Sequence, residues 1–233
     1  MKENKNKKKK LKFKIVLLLI AVVFIIYNVT VFILNQPIHD VVFKGNSIVN
    51  DTELLEYSGI TDDNKFITTK VSKVKENILK NAYVKDVEVD KVFFSTFEIN
   101  ITENKTLFYY LEEDKIILEG NNKIDSTNIL GLPTLVNYTP EDVLENFINK
   151  LSLIDINLIY KISEIEYAPN IKNDIMLDEE RFIFKMNDSN TVHVNIINLE
   201  KFSNYNKILE IETKKGILYL DSSNNGNVFD IYE

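Results

Sequence analysis

The stretch IVLLLIAVVFIIYNVTVFIL, residues 15–34, decides how the rest of the chain is arranged. It is twenty residues long and uncharged, and its clearly polar members are Asn28 and Thr30. A helix of this length rises about 30 Å, which matches the hydrocarbon thickness of a bilayer. No later stretch is apolar enough to span a bilayer again. We therefore predict a single N-terminal transmembrane helix at residues 15–34, with the bilayer as its partner.

Two other structures could account for this stretch. A cleaved signal peptide has a shorter apolar region and a small-residue cleavage site, whereas the sequence here continues as Leu-Asn-Gln-Pro at residues 34–37. A buried core helix of a soluble domain would show polar residues on one face. It would also not follow a cluster of lysines. The uncleaved anchor fits the sequence better than either alternative.

The charges on either side of the span predict its orientation. Residues 1–14 hold eight lysines and one glutamate, a net charge of +7, and residues 15–233 carry −14. Lysine and arginine beside a span are retained in the cytoplasm. We expect residues 1–14 to be a basic cytoplasmic tail in a single-pass type II protein, with the domains that follow outside the cell membrane. An acidic exported part argues against nucleic acid as a ligand.

The composition of the exported part favours a folded bacterial surface protein. Hydrophobic residues make up 45% of the chain, with 14 Phe and 11 Tyr, which is enough to form a core. The chain has no cysteine. Because secreted animal domains of this size usually carry disulfides, a bacterial cell surface is the more consistent origin.

The sequence pattern of residues 36–104 predicts a domain with the element order β-α-α-β-β. Pro37 ends the membrane helix, and the β-rich residues 38–44 follow it. Asn50 is a helix cap, Glu53 completes a capping-box arrangement, and that helix stops at Gly59. A second helix at residues 70–81 has Val71, Val74, Ile78 and Leu79 on one stripe. The two final strands alternate, with these residues facing inward: Val87, Val89, Phe97, Ile99 and Ile101.

The sequence of residues 105–233 predicts a second domain, which is a mixed β-sheet with flanking helices. With the first domain, this places the whole chain in the α+β class. A helix begins at Thr139, with Pro140 at its first position. A further helix at residues 199–209 precedes the last strand. The apolar stripe of the first helix comprises Val143, Leu144, Phe147, Ile148 and Leu151. The predicted strands cover residues 107–111, 116–118, 132–136, 162–167, 181–186, 191–197 and 216–221.

The sequence contains no recognisable set of catalytic residues. The two histidines, His39 and His193, lie far apart, and the alternation around His193 predicts that it faces water. No zinc-ligand spacing, nucleophile elbow or phosphate-binding glycine loop occurs, and the six glycines read as turn residues. The acidic runs 62–63 and 178–180 have the composition of a glycosidase pair, but such runs are more often solvated loops. We predict no catalytic, cofactor or metal site.

Binding is the remaining role, and the strand at residues 216–220 is the candidate element. No later segment has a clear enough strand pattern to predict that it pairs with the free edge of this strand. An exposed sheet edge is a template for strand addition by another chain. The alternative is that this strand is internal and only completes the sheet, and the residues alone leave the two interpretations nearly equal.

Several segments together resemble the bacterial cell division family FtsQ, called DivIB in Gram-positive bacteria. They occur in the family's order behind a type II anchor: VVFKGNSIV at 41–49, NAYVKDVEVDKVFFSTFEINITENK at 81–105, IILEGNNKI at 116–124 and GLPTLV at 131–136. The resemblance implies a POTRA domain at residues 36–104 and the family's β domain at 105–233. It also implies a non-catalytic scaffold of the divisome at the septum.

The same resemblance implies which partners and residues are used. The family binds the bitopic division proteins FtsB/DivIC and FtsL through the C-terminal part of its β domain. Applied to this chain, the pairing strand would be Ile217, Leu218, Tyr219 and Leu220, with Val228 and Phe229 beside it. The alternative function is an extracytoplasmic sensor or peptidoglycan-binding ectodomain, which needs a pocket that sequence cannot reveal.

Overall fold

A computed structural model describes residues 3–92, 95–126, 130–212, 214–221 and 228–232, with side chains from residue 13 onward. The first helix, α1, runs from Glu3 to Leu34. Its segment Phe13–Leu34 is long and apolar enough to cross a membrane. The chain divides into two compact units, residues 1–103 and 104–233. The α+β class, the N-terminal apolar helix and the mixed second sheet are confirmed.

The first unit folds after α1 in the predicted order β-α-α-β-β. The central strand of its sheet is β3, which pairs in parallel with β1 and antiparallel with β2. Two helices connect β1 to β2. The elements are β1 Asp40–Lys44, α2 Asp51–Ser58, α3 Val71–Ile78, β2 Val84–Val92 and β3 Thr96–Glu103.

The core of this unit contains nearly all of the residues predicted to face inward. Val87, Ile99 and Phe97 are fully buried, and Val74 and Ile78 of α3 belong to the same cluster. The prediction that Leu79 lies on the buried stripe is wrong, because α3 ends at Ile78 and Leu79, its C-cap residue, is exposed. Alternation with a period of two therefore identifies the inner face of this sheet.

The limits of α2 follow from the two residues that flank it. The Oδ1 atom of Asn50 accepts a hydrogen bond from the Glu53 N–H at 2.9 Å. Gly59 ends the helix with a φ of +69°, which glycine adopts at little cost. The carboxylate of Glu53 accepts a hydrogen bond from Asn81 at 2.8 Å, and so ties α2 to the segment before β2.

Glu103, the last residue of β3, holds the turn that precedes α2. Its carboxylate accepts hydrogen bonds from the Ser47, Ile48 and Val49 N–H groups at 2.9–3.0 Å and from the Ser47 hydroxyl at 2.7 Å. Burial by itself raises the pKa of Glu103, but the four donors outweigh it and the net pKa is lowered. Ionised Glu103 therefore stabilises this turn.

This arrangement makes the stability of the first unit pH-dependent. A depressed carboxyl pKa contributes stability above the unfolded-state value, about 4.3, and the contribution is lost as pH falls through the lower folded-state pKa. Glu103→Gln should lower the melting temperature of the fragment from residue 36 onward at pH 7, and the difference from the parent fragment should shrink towards pH 3. A gap of constant size between pH 7 and pH 3 would contradict this role.

The second unit contains one large sheet, a separate hairpin and several helices. It begins with β4 Thr106–Tyr110, β5 Lys115–Leu118, a 3-10 turn at Glu119–Asn121, β6 Lys123–Asp125, β7 Thr134–Leu135, α4 Glu141–Leu151 and α5 Ile156–Ile159. It continues with β8 Ile162–Tyr167, β9 Asn170–Lys172, β10 Ile175–Asp178, β11 Arg181–Met186 and β12 Thr191–Asn195. It closes with a 3-10 helix Ile196–Asn204, α6 Tyr205–Ile211, β13 Gly216–Tyr219 and β14 Val228–Ile231.

Within the described residues, the large sheet has nine strands in the order β14-β13-β12-β11-β8-β7-β4-β5-β6, and β9 and β10 form a hairpin of their own. The predicted stripe of α4 is confirmed, since all five of its residues are buried against one face of this sheet. Phe147 of α4 stacks on Phe182 of β11 with ring centroids 4.1 Å apart. The helix predicted at residues 199–209 is instead a 3-10 helix followed by α6, and it buries Leu199 and Phe202 as expected.

Candidate partner-binding edge

The last three strands determine which edge of the large sheet is open. β13 pairs in parallel with β12, with Val192 opposite Leu218. It also pairs antiparallel with β14, with Leu218 opposite Phe229. The strand predicted to be the exposed edge is therefore internal, and that prediction is wrong. The edge on this side of the sheet is β14, because it hydrogen-bonds to β13 alone among the described strands.

The six residues predicted to bind a partner lie in three different environments. Leu218 and Leu220 are 1% exposed and belong to the core. Ile217 and Tyr219 are half-buried on the opposite face of the sheet. Val228 is 49% exposed on the edge strand, and Phe229 beside it packs against the core. Of the six, only Val228 and Phe229 therefore lie on the edge strand.

The hydrogen-bonding pattern shows which backbone groups of β14 face away from the sheet. The Tyr232 N–H donates to the Lys215 carbonyl oxygen at 2.9 Å. Because bonded and non-bonded pairs alternate in an antiparallel ladder, Val228 and Asp230 direct their N–H and C=O groups toward β13. The corresponding groups of Phe229 and Ile231 face outward, and no strand in the described ranges pairs with them.

Apolar side chains surround this open edge. Val228, Ile231 and Tyr232 are each between 43% and 49% exposed. Sequence reasoning missed Ile231 and Tyr232, although the β-branched and aromatic residues of VFDIY at 228–232 were a signal for a strand. An outward row of backbone groups with apolar neighbours can accept an added strand.

The opposite edge of the sheet is protected by charge. It is formed by β6, which has three residues. Lys123 of β6 forms an ion pair with Glu113 at 2.8 Å, and Asp125 pairs with Lys115. Short, charged strands discourage edge-to-edge pairing. The two edges therefore differ in chemistry, and the β14 edge is the more receptive.

A buried polar cluster fixes the start of β13. The Gly216 N–H donates to Asn190 Oδ1 at 3.0 Å, and Asn190 Nδ2 donates to the Tyr205 hydroxyl at 3.1 Å. That hydroxyl donates to the carboxylate of Asp188, and burial raises the pKa of Tyr205. A Cβ atom on Gly216 would lie 2.1 Å from the Asp230 carbonyl oxygen. Gly216 thus permits close approach of two strands and is not the turn residue that the sequence indicated.

A second polar cluster lies on the face of the sheet opposite the core. Arg181 donates to Asp221 from Nε at 2.7 Å and to the Ala168 carbonyl oxygen at 3.1 Å. Its third contact is to Nδ1 of His193 at 2.6 Å, and the His193 ring meets Tyr219 edge-on. His193 was predicted to face water, but it is half-buried between these groups. Burial and Arg181 lower its pKa, against the opposing effect of Asp221.

The acidic run 178–180 lies beside an open cleft of about 630 Å³. Asp178 accepts hydrogen bonds from Asn195 at 2.8 Å and from the Glu180 N–H at 3.0 Å, so its carboxylate is engaged locally. Asn198 and Ile197 also line the cleft. Within the described ranges, no three His, Cys, Asp or Glu side chains are arranged to hold a metal ion.

Comparison with known proteins identifies the first unit and its relatives. Residues 36–104 match the family described as the POTRA domain, FtsQ-type. The cell division protein DivIB of Bacillus cereus is 29% identical over 162 residues, which are 67% of this chain and 61% of that protein. DivIB of Listeria monocytogenes is 24% identical over 219 residues, which are 89% of this chain and 78% of that protein.

A solved structure of the major extracytoplasmic domain of DivIB from Geobacillus stearothermophilus is also similar. Its TM-score is 0.35 at 21% sequence identity, over 48% of this chain and 96% of that chain. The matches to the Bacillus and Brevibacillus relatives span 61% to 66% of the length of those proteins, which is less than two thirds. Because residues 36–104 match the FtsQ-type POTRA domain and the relatives named above are DivIB proteins, the similarity of this chain to the FtsQ/DivIB family of bacterial cell division proteins is confirmed.

Proposed function

We propose that this protein is a non-catalytic, membrane-anchored scaffold of the divisome that acts at the septum. Residues 15–34 would span the membrane, residues 1–14 would stay in the cytoplasm, and the domains at 36–104 and 105–233 would lie outside the cell membrane. The apolar helix Phe13–Leu34 and the +7 charge before it support this arrangement.

The proposed orientation is tested with reporters. A reporter that is active only outside the cell should work when fused after Glu233 and fail when fused before Lys5. Replacing lysines 7–10 with glutamine should weaken this bias, because the retained positive charge is removed. Activity of the reporter only in the N-terminal fusion would contradict the orientation.

The proposed partners are FtsB/DivIC-like and FtsL-like bitopic division proteins. The observation that carries this part of the proposal is the open apolar edge of β14. An added strand would bond to the outward N–H and C=O groups of Phe229 and Ile231, and Val228 and Tyr232 would contact its side chains. Of the residues predicted from sequence, Val228 and Phe229 would contact the partner, and Ile217, Leu218, Tyr219 and Leu220 would support the edge from behind.

A proline at the edge tests this proposal. Ile231→Pro removes one outward N–H group and leaves the inward ladder to β13 in place, so the sheet should tolerate it. We expect Ile231→Pro to abolish co-purification of the DivIC-like partner from membranes. The exported part, from residue 36 onward, should keep the circular dichroism spectrum and melting transition of the parent protein.

Two matched variants separate the contribution of the backbone to binding from that of the side chain, and the contribution of the β14 edge from that of the β6 edge. Ile231→Ala keeps the N–H group and should weaken binding less than the proline does. Asp125→Pro places the same change on the charged β6 edge and should leave co-purification unchanged. The Lys115–Asp125 pair it removes is exposed and worth little. A folded Ile231→Pro protein that still binds its partner would disprove strand addition at β14.

A second candidate function is that of a sensor or peptidoglycan-binding ectodomain. The observation in its favour is the open cleft beside residues 178–180. The cleft is lined by carboxamides and carboxylates together with the exposed side chains of Leu177 and Ile197. A small polar ligand bound there would lose affinity when Asn198 is changed to Ala and would be insensitive to Ile231→Pro. The two variants therefore distinguish the candidates.

A further inference from the structure

Asn28 places a carboxamide inside the apolar part of α1. It lies about 7 Å from the middle of the segment Phe13–Leu34, well within a hydrocarbon layer about 30 Å thick. Its Nδ2 atom donates one hydrogen bond, to the Phe24 carbonyl oxygen at 2.7 Å. A carboxamide has two N–H donors and an oxygen with two lone pairs. One N–H group and the oxygen of Asn28 thus remain without a partner in the described part of the chain.

The neighbouring polar residue, Thr30, has no unpaired donor. Its single hydroxyl donor is used by the Ile26 carbonyl oxygen at 2.8 Å. A hydroxyl that bonds to its own helix is accommodated in a bilayer, whereas an unpaired donor or acceptor in hydrocarbon costs free energy. The unpaired part of Asn28 therefore points to a second protein group at the same depth.

A second helix that contacts Asn28 would also contact the residues at heptad spacing from it, because they lie on the same face of α1. Ala21, one heptad before Asn28, is the smallest residue in the segment Phe13–Leu34, and small residues let helix backbones approach closely in membranes. The face, termed the Asn28 seam below, comprises Leu17, Ala21, Phe24, Asn28, Val31 and Asn35.

We propose that the Asn28 seam is the contact surface between the membrane helices of two copies of this chain. Every copy inserts with the same orientation, so the two Asn28 side chains lie at equal depth and can exchange N–H···O bonds reciprocally. The two Ala21 residues then face each other as well. A helix of unrelated sequence would need a polar group at that same depth. This contact is independent of the partner edge at β14.

The absence of cysteine from the chain allows a direct test by single-cysteine crosslinking in the full-length protein. Phe24→Cys places the thiol on the seam, and Ile26→Cys places it on the opposite side of α1. Oxidation of membranes that contain the protein should give a crosslinked dimer with Phe24→Cys and little with Ile26→Cys. Adding Asn28→Val to Phe24→Cys should lower the crosslinked fraction about three- to tenfold, because single hydrogen bonds between membrane helices are modest in strength.

Thr30→Val is the matched control, since it removes a polar group that already bonds within α1, and it should leave the Phe24→Cys dimer unchanged. Equal crosslinking at positions 24 and 26, or a dimer insensitive to Asn28→Val, would overturn the proposal. Crosslinks from Phe24→Cys to a different membrane protein, with none between copies, would also overturn it. Ile231→Pro should not change the dimer.

Discussion

Leu218→Pro should unfold the second unit, whereas the same substitution at Ile231 should not. The Leu220 N–H donates to the His193 carbonyl oxygen at 2.7 Å, so Leu218, two residues earlier, directs its own N–H toward β12 as well. Proline at position 218 removes that bond inside the sheet and adds a steric clash. It also removes a side chain that is 1% exposed in the core.

Thermal unfolding of the fragment from residue 36 onward, followed by circular dichroism, measures this effect. Leu218→Ala is the control that keeps the N–H group and loses only the burial, at a cost of about 2–5 kcal/mol. We expect the alanine variant to fold with a lower melting temperature and the proline variant to lose the cooperative transition of the second unit. A Leu218→Pro protein as stable as the parent would show that β13 is not internal.

Ile99→Ala should destabilise the first unit strongly. Ile99 lies on the central strand β3, opposite Phe43 of β1 and Val89 of β2, and is fully buried. Truncating a buried isoleucine to alanine costs about 2–5 kcal/mol, a large part of the 5–15 kcal/mol typical of a domain. For a domain of this size, the melting temperature should fall by about 10 °C or more.

The neighbouring position gives the control for this prediction. The Asn100 side chain points to the other face of β3 and is not part of the core cluster. Asn100→Ala should therefore change the melting temperature by only a few degrees, because surface substitutions away from special features cost little. Equal losses from the two variants would mean that the strand is shifted by one residue and that its faces are exchanged.

The first unit could be predicted closely because its elements are encoded locally. Alternation identified the inward residues of β3, and the Asn50 cap and Gly59 gave the limits of α2. The bulge at Lys85 could not be predicted, since it depends on the pairing between Val84 and Glu103 and between Asp86 and Thr102. It explains why both Val84 and Val87 are buried although they are three residues apart.

The second unit contained more that sequence could not reveal. β14 is a four-residue strand, and its pairing with β13 depends on its tertiary surroundings more than on propensity. The partners of His193, Arg181 and Asp221, lie 12 residues before it and 28 residues after it in the chain. Alternation therefore gave the correct face for His193, but not the contacts that remove it from water.

The central claim is that the outward backbone groups of β14 receive a strand from a division partner. Residue-resolved amide hydrogen exchange of the fragment from residue 36 onward, alone and with the ectodomain of the DivIC-like partner, tests it most directly. In the free protein, the Asp230 amide should exchange slowly and those of Phe229 and Ile231 quickly, because only the first bonds to β13. Binding should slow exchange at Phe229 and Ile231 many-fold. A complex that forms while both amides still exchange quickly would contradict strand addition at this edge.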